Sequence, residues 1–128
     1  MHVADKMRFV LPSLLLFSCA SVSSGGPVFM PMELQGVWQP GPEPCALPGN
    51  LDSDSRIEIK AHVIQGYEHS SVPLKVTRVS TSPAGWRIEY LETYGGYDDR
   101  YAAIFALSGE RTMTVVDESR PEIYVRCL

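Results

Sequence analysis

The chain has 128 residues, 45% of them hydrophobic and 20% charged, which is one domain's worth of sequence rather than a disordered tail. Lysine and arginine number 11 against 15 acidic residues, and the net charge of −4 gives a phosphate backbone no electrostatic reason to bind, which argues against nucleic acid as a partner. Ten glycines, ten prolines and six tyrosines favour strands and turns over a helical bundle, and no motif names a reaction or calls for a cofactor.

The amino-terminal stretch reads as an export address. Lys6 and Arg8 precede an apolar run, Phe9 to Phe17, that is shorter than the roughly 20 residues a membrane-spanning helix needs. Met7 is an alternative start that yields the same mature protein. The segment Leu16-Phe17-Ser18-Cys19-Ala20-Ser21 resembles a bacterial lipoprotein signal. That resemblance implies that residues 1–18 are removed as a signal peptide and that the Cys19 thiol carries diacylglycerol, with further acylation (palmitate) at the new amino terminus. Two or more acyl chains would hold the protein firmly on a membrane of the cell envelope. Ala20 after Cys19, in place of Asp, fits sorting to the outer membrane on its periplasmic face. The alternative is ordinary signal peptidase cleavage within residues 18–24, with Cys19 discarded.

Two cysteines then remain, Cys45 and Cys127. An even remainder suits an oxidising periplasm, and a disulfide between them would close a loop of about 80 residues, stabilising by roughly 4 kcal/mol in the chain-entropy account. Two unpaired buried thiols are the alternative. Neither cysteine has a second Cys or a His at ligand spacing, so no metal centre is expected there. Residues 19–31, small and rich in Gly and Pro, suit a flexible tether, and residues 32–128 form a single domain. Loss of Asp5, Lys6 and Arg8 with the leader takes the net charge from −4 to −5, ordinary for an envelope domain.

That domain reads as strands almost throughout. Leu34-Gln35-Gly36-Val37-Trp38 opens the first, and Arg56 to Ala61 alternates strictly, with Ile57, Ile59 and Ala61 on one face. Val72, Leu74 and Val76 then share a face, as do Trp86, Ile88 and Tyr90, and Tyr101, Ala103, Phe105 and Leu107. Met113 with Val115, and Ile123 with Val125 and Cys127, complete the series. Turn signals fall between: Ser82-Pro83-Ala84-Gly85, Gly95-Gly96, Ser108-Gly109-Glu110 and Ser119-Arg120-Pro121. Such spacing predicts an all-β antiparallel meander of seven or eight strands that closes into a small barrel, because open edges invite aggregation.

Gly36-Val37-Trp38 in the first strand and Arg126 in the last resemble the lipocalin-like up-and-down barrels. The resemblance implies that Trp38 closes the barrel floor, that Arg126 stacks on its indole, and that Gly36 permits their close approach. A second likeness is to secreted inhibitors of bacterial metalloproteases, eight-stranded barrels of similar size with an early Gly-x-Trp and one disulfide. Those act through a free amino-terminal segment, which acylation of Cys19 would leave unfree.

Candidates for chemistry are few. Glu68-His69-Ser70-Ser71 holds an acid, a base and hydroxyls, but neighbours on a strand alternate faces and adjacency is not a triad. His62 and His69 would meet only across a turn near Gln65-Gly66, with Glu68 close by, and remain short of a metal's ligand count. Asp52-Ser53-Asp54 resembles the opening of a calcium loop, yet Ile57 stands where Gly is required and Val63 where Glu is. The most suggestive group is Tyr90, Tyr94, Tyr97, Asp98, Asp99, Arg100 and Tyr101 around a hairpin tip, a candidate recognition surface for an envelope protein or a glycan, or simply cross-strand pairing. The expectation is therefore a non-enzymatic envelope lipoprotein that binds a partner, with a protease-inhibitor-like barrel as the alternative. An enzyme would need a convergent set of perturbed carboxylates or a metal, which the sequence does not offer.

Overall fold

Strict apolar–polar alternation can bury only one face of a strand, so a chain made of such strands must wrap that face around a shared interior. In the computed structural model, which describes residues 26–128, eight strands do so. They are β1 (Gly36–Pro40), β2 (Ile57–Ile59), β3 (Ile64–Gln65), β4 (His69–Thr81), β5 (Ala84–Tyr94), β6 (Tyr97–Ser108), β7 (Thr112–Val116) and β8 (Pro121–Arg126). Each pairs antiparallel with the next, and β8 pairs with β1 to close the barrel. The expected leader 1–18 and the acyl-acceptor Cys19 lie outside the described residues. Among the described residues no helix is long and apolar enough to cross a membrane.

The interior is filled by bulky side chains, as a narrow barrel requires. Trp38, Ile59, Trp86, Ile88, Phe105 and Met113 form its centre, none more than 4% exposed. Met30 joins them at 1% exposure, and its N–H donates to Ala61 O at 2.8 Å, so the packed body reaches two residues upstream of the expected start at 32. Leu34 is buried in a single 3-10 turn, Met32–Leu34, rather than in the first strand. The strand expected over 56–61 pairs only at Ile57–Ile59, and the two-residue β3 has too little sequence to show an alternation.

Two faces are reversed from expectation. In β4, Ser71 and Pro73 point inward while Val72 is 48% exposed. Leu74 is the extra residue of a bulge between the Pro73–Tyr90 and Lys75–Glu89 pairs, and the bulge resets the phase so that Val76 packs on the core. In β8, Tyr124 and Arg126 face inward and Ile123 is 55% exposed. The cause is register: Trp38 sits directly opposite Arg126, which puts both on one face and sends Cys127 to the other.

Outside the β1–β8 seam, Cys127 meets Cys45. The two form a disulfide with Cα atoms 4.4 Å apart. The long β1–β2 connection, residues 41–56, thereby folds back over the seam. Leu128 N–H donates to Cys45 O at 3.0 Å, Asn50 N–H to Gln39 Oε1 at 2.7 Å, and Arg56 Nε to Pro48 O at 2.7 Å. In an up-and-down barrel the connections alternate between ends. The entering segment and the β2–β3, β4–β5 and β6–β7 connections mark the floor; the others mark the mouth.

Candidate functional site

The floor is sealed. The Arg126 guanidinium carbon lies 4.3 Å from the centroid of the Trp38 ring. Its three nitrogens donate to Gln35 O at 2.6 Å, Glu33 O at 2.6 Å and Glu110 O at 2.9 Å, and Trp38 Nε1 donates to Leu34 O at 2.8 Å. Gly36, at φ +145°, lies so close that an added Cβ would stand 2.8 Å from Arg126 Nη1. These contacts anchor the 3-10 turn and the β6–β7 turn to one cation, and nothing in them resembles a reactive centre.

A surface cleft of about 430 Å³ lies at this end among Met32, Glu33, Glu110 and Arg126, whereas the mouth keeps a cavity of about 290 Å³ lined in part by core residues. Ile57, Ile64 and Phe105 of the buried core line it, with the partly buried Val115, Tyr90 and Tyr124 packed against them. Ser71 and His69 line it from β4, and Glu92, Asp117, Arg120 and Glu122 from β5, β8 and the β7–β8 turn. Ser71 is only 3% exposed. No side-chain hydrogen bond found among the described residues involves its hydroxyl, yet no buried polar atom there lacks a partner, so that oxygen opens onto the cavity.

Asp117 is organised by its own turn. Its Oδ1 accepts from Ser119 N–H at 2.8 Å and Ser119 Oγ at 2.7 Å, and these bonds hold the carboxyl below the ordinary aspartate range. Burial pushes the Tyr90 hydroxyl up to about 12, with Glu92 and then Asp117 adding to the effect. Tyr124 is raised as well, by burial first and then by Glu122. The ion pairs among the described residues, Arg56–Glu58 at 3.9 Å and Arg87–Glu89 at 3.4 Å, leave Glu92, Asp117 and Glu122 unpaired. The mouth is thus a small polar cup with a negative rim.

No protein-family model, curated protein or solved structure matches this chain.

The tyrosine hairpin stands beside this cup, and the pleat divides it. Register places Tyr90 opposite Tyr101, Glu92 opposite Asp99 and Tyr94 opposite Tyr97, all on the face that continues the barrel interior. Tyr90 and Tyr101 bring their ring centroids within 6.0 Å, and Asp99 raises the Tyr101 hydroxyl. Asp98 and Arg100 belong to the opposite face, where Asp98 Oδ1 accepts from Thr93 Oγ1 at 2.7 Å. Tyr94 and Tyr97 are 58% and 78% exposed beside the Gly95-Gly96 turn, whose positive φ values of 57° and 83° suit glycine.

Other sequence candidates come apart. His62 sits in the β2–β3 turn with its ring 4.5 Å from that of Phe29, whereas His69 lies at the mouth with Nδ1 2.8 Å from Tyr67 O. The turn near Gln65-Gly66 therefore does not join them. Among the described residues no group of three or more His, Cys, Asp or Glu is placed to hold a metal ion. Asp52 and Asp54 lie in a loop where Asp52 N–H donates to Asn50 Oδ1 at 3.1 Å, and Asp54 Oδ1 accepts from Ser55 Oγ at 3.1 Å. Sequence reasoning named Ser71 only as part of the Glu68–Ser71 stretch and passed over Asp117, Glu122 and Tyr124 as site residues. The reversed faces of β4 and β8 bring Ser71, Glu122 and Tyr124 to the mouth, and Asp117 reaches it from the β7–β8 turn.

The raised tyrosine gives a direct expectation. The unfolded chain releases the Tyr90 proton near 10, the ordinary tyrosine value, while burial in the folded protein holds it to about 12. The stability this contributes is complete below pH 10 and is lost as pH rises towards 12. Urea midpoints measured across that window fall in the native protein, and Tyr90→Phe flattens the fall. Equal slopes in both proteins would contradict the assignment.

Proposed function

We propose that this protein is an exported, lipid-anchored binding module of the cell envelope, not an enzyme, and that it meets an envelope protein or glycan at the mouth of the barrel. The observation that carries this reading is the difference between the two ends. The floor is closed by Trp38 and Arg126, while the mouth presents a polar cup flanked by the exposed Tyr94 and Tyr97. Tyrosine gives a recognition surface both apolar area and a hydrogen-bonding tip. The described chain also enters at the floor, through Met30, so a tether attached at Cys19 holds the mouth away from its membrane.

The test has two measurements on the full-length protein expressed in a bacterium. The intact mass is expected to begin at Cys19 with added acyl chains, and a photo-crosslinker at Tyr97 is expected to capture a specific envelope component that the same group at Leu47 does not. An unmodified amino terminus beyond Cys19, together with no adduct at Tyr97, would overturn the reading. The eight strands and single disulfide also favour a second reading, an inhibitor-like barrel with a free amino-terminal segment. An unmodified terminus together with inhibition of a metalloprotease would select it.

A further inference from the structure

The mouth cavity has a more specific chemistry than the surface around it. At about 290 Å³ it lies at the small end of ligand pockets, with room for a head group or a small metabolite but not for an acyl chain. Its lining combines hydrocarbon from Ile57, Ile64 and Val115 with the aromatic side chains of Tyr90 and Tyr124, and its carboxylates, Glu92, Asp117 and Glu122, outnumber its single guanidinium, Arg120, three to one. Anions are repelled by that rim. A bare metal ion is poorly served, because aromatic rings and aliphatic side chains supply no ligands. An organic cation suits this lining: its alkyl groups meet the apolar side chains, its charge meets the aromatic rings and the carboxylates, and a hydroxyl or N–H on it can bond the Ser71 oxygen that opens onto the cavity.

The geometry points to a binding site, inside the mouth, for a small organic ammonium ion about the size of choline. The inference goes beyond the surface reading above, since it concerns the cavity below the tyrosine hairpin and does not depend on where the protein resides. Ser71 orients the ligand, Tyr90 and Tyr124 enclose its charge, and Glu92 and Glu122 set the sign of charge admitted.

The test titrates the purified protein with choline and, separately, with its neutral isostere 3,3-dimethylbutan-1-ol, following backbone amide resonances. Choline is expected to shift Ser71, Tyr90 and Tyr124, and to bind at least about tenfold more tightly than the isostere. The Glu92→Gln/Glu122→Gln double variant, both at the rim and outside the core, is expected to weaken choline by roughly tenfold while leaving the isostere unchanged. Its amide dispersion reports that it folds. Equal affinity for the two probes would overturn the proposal and mark an ordinary apolar cup. So would choline shifts that avoid Ser71, Tyr90 and Tyr124, or an absence of shifts at about 10 mM choline. None of these outcomes bears on acylation of Cys19 or on capture at Tyr97, so the two readings stand or fall separately.

Discussion

Replacing Cys45 and Cys127 together by alanine is expected to lower the unfolding free energy by about 4 kcal/mol and the melting temperature by on the order of 20 °C. The disulfide joins residues 82 apart in sequence, so its loss releases a long loop in the unfolded chain. The native state changes less, because Leu128 N–H to Cys45 O and Leu47 N–H to Leu128 O, at 3.0 and 3.2 Å, still bind the long connection to the seam. Thermal unfolding of the native protein with and without reductant gives the same comparison without mutation. An unchanged midpoint under full reduction would show that the seam and the core carry the fold alone.

Arg126→Met is the second large effect, with an expected loss of roughly 3 to 4 kcal/mol. Methionine keeps the apolar stem as far as the Nε position but leaves the carbonyls of Glu33, Gln35 and Glu110 without their charged donor, and removes the cation from the face of Trp38. Arg126→Lys restores little, because one ammonium cannot reproduce a planar fork aimed at three carbonyls on two turns. Trp38→Leu keeps the position apolar while removing both the ring and the Nε1 bond to Leu34 O. A double-mutant cycle of Trp38→Leu with Arg126→Met is expected to give a coupling of about 1 to 2 kcal/mol. Urea titrations followed by tryptophan fluorescence supply all four corners, with Trp86 present in every one. A coupling near zero would mean that the ring and the guanidinium pack side by side without mutual stabilisation.

How far the sequence could be read depended on whether neighbouring strands shared its arithmetic. The Ile57–Ile59 and Trp86–Ile88–Tyr90 alternations survive intact, because neither strand carries an inserted residue and β5 keeps unbroken register with β6. The barrel itself followed from even spacing and turn signals. In β4 the same arithmetic fails at Leu74, where an inserted residue leaves no mark in composition and reverses the faces on either side of it. In β8, Ile123 and Val125 looked like the buried pair, yet the Trp38–Arg126 register gave the interior to Tyr124 and Arg126. The mouth was the least legible part. Its residues come from most of the strands, and Glu122 and Tyr124 sit where the expected alternation of β8 points to solvent. The tyrosine hairpin was visible as a cluster, but its division between two faces required the register.

The placement of the disulfide also decides how the barrel bears a mechanical load. Strands β2 to β8 all lie between Cys45 and Cys127, and β1 alone lies outside that covalent loop. Tension applied between Met30 and Leu128 arrives at the same end of two antiparallel neighbours, β1 and β8, and peels them apart bond by bond from the Trp38–Arg126 pair. Extension then stops at the sulfur bridge, with only the stretch from Met30 to Cys45 drawn out. The other seven strands never enter the path of the force, so a pull that strips β1 leaves most of the sheet unstretched.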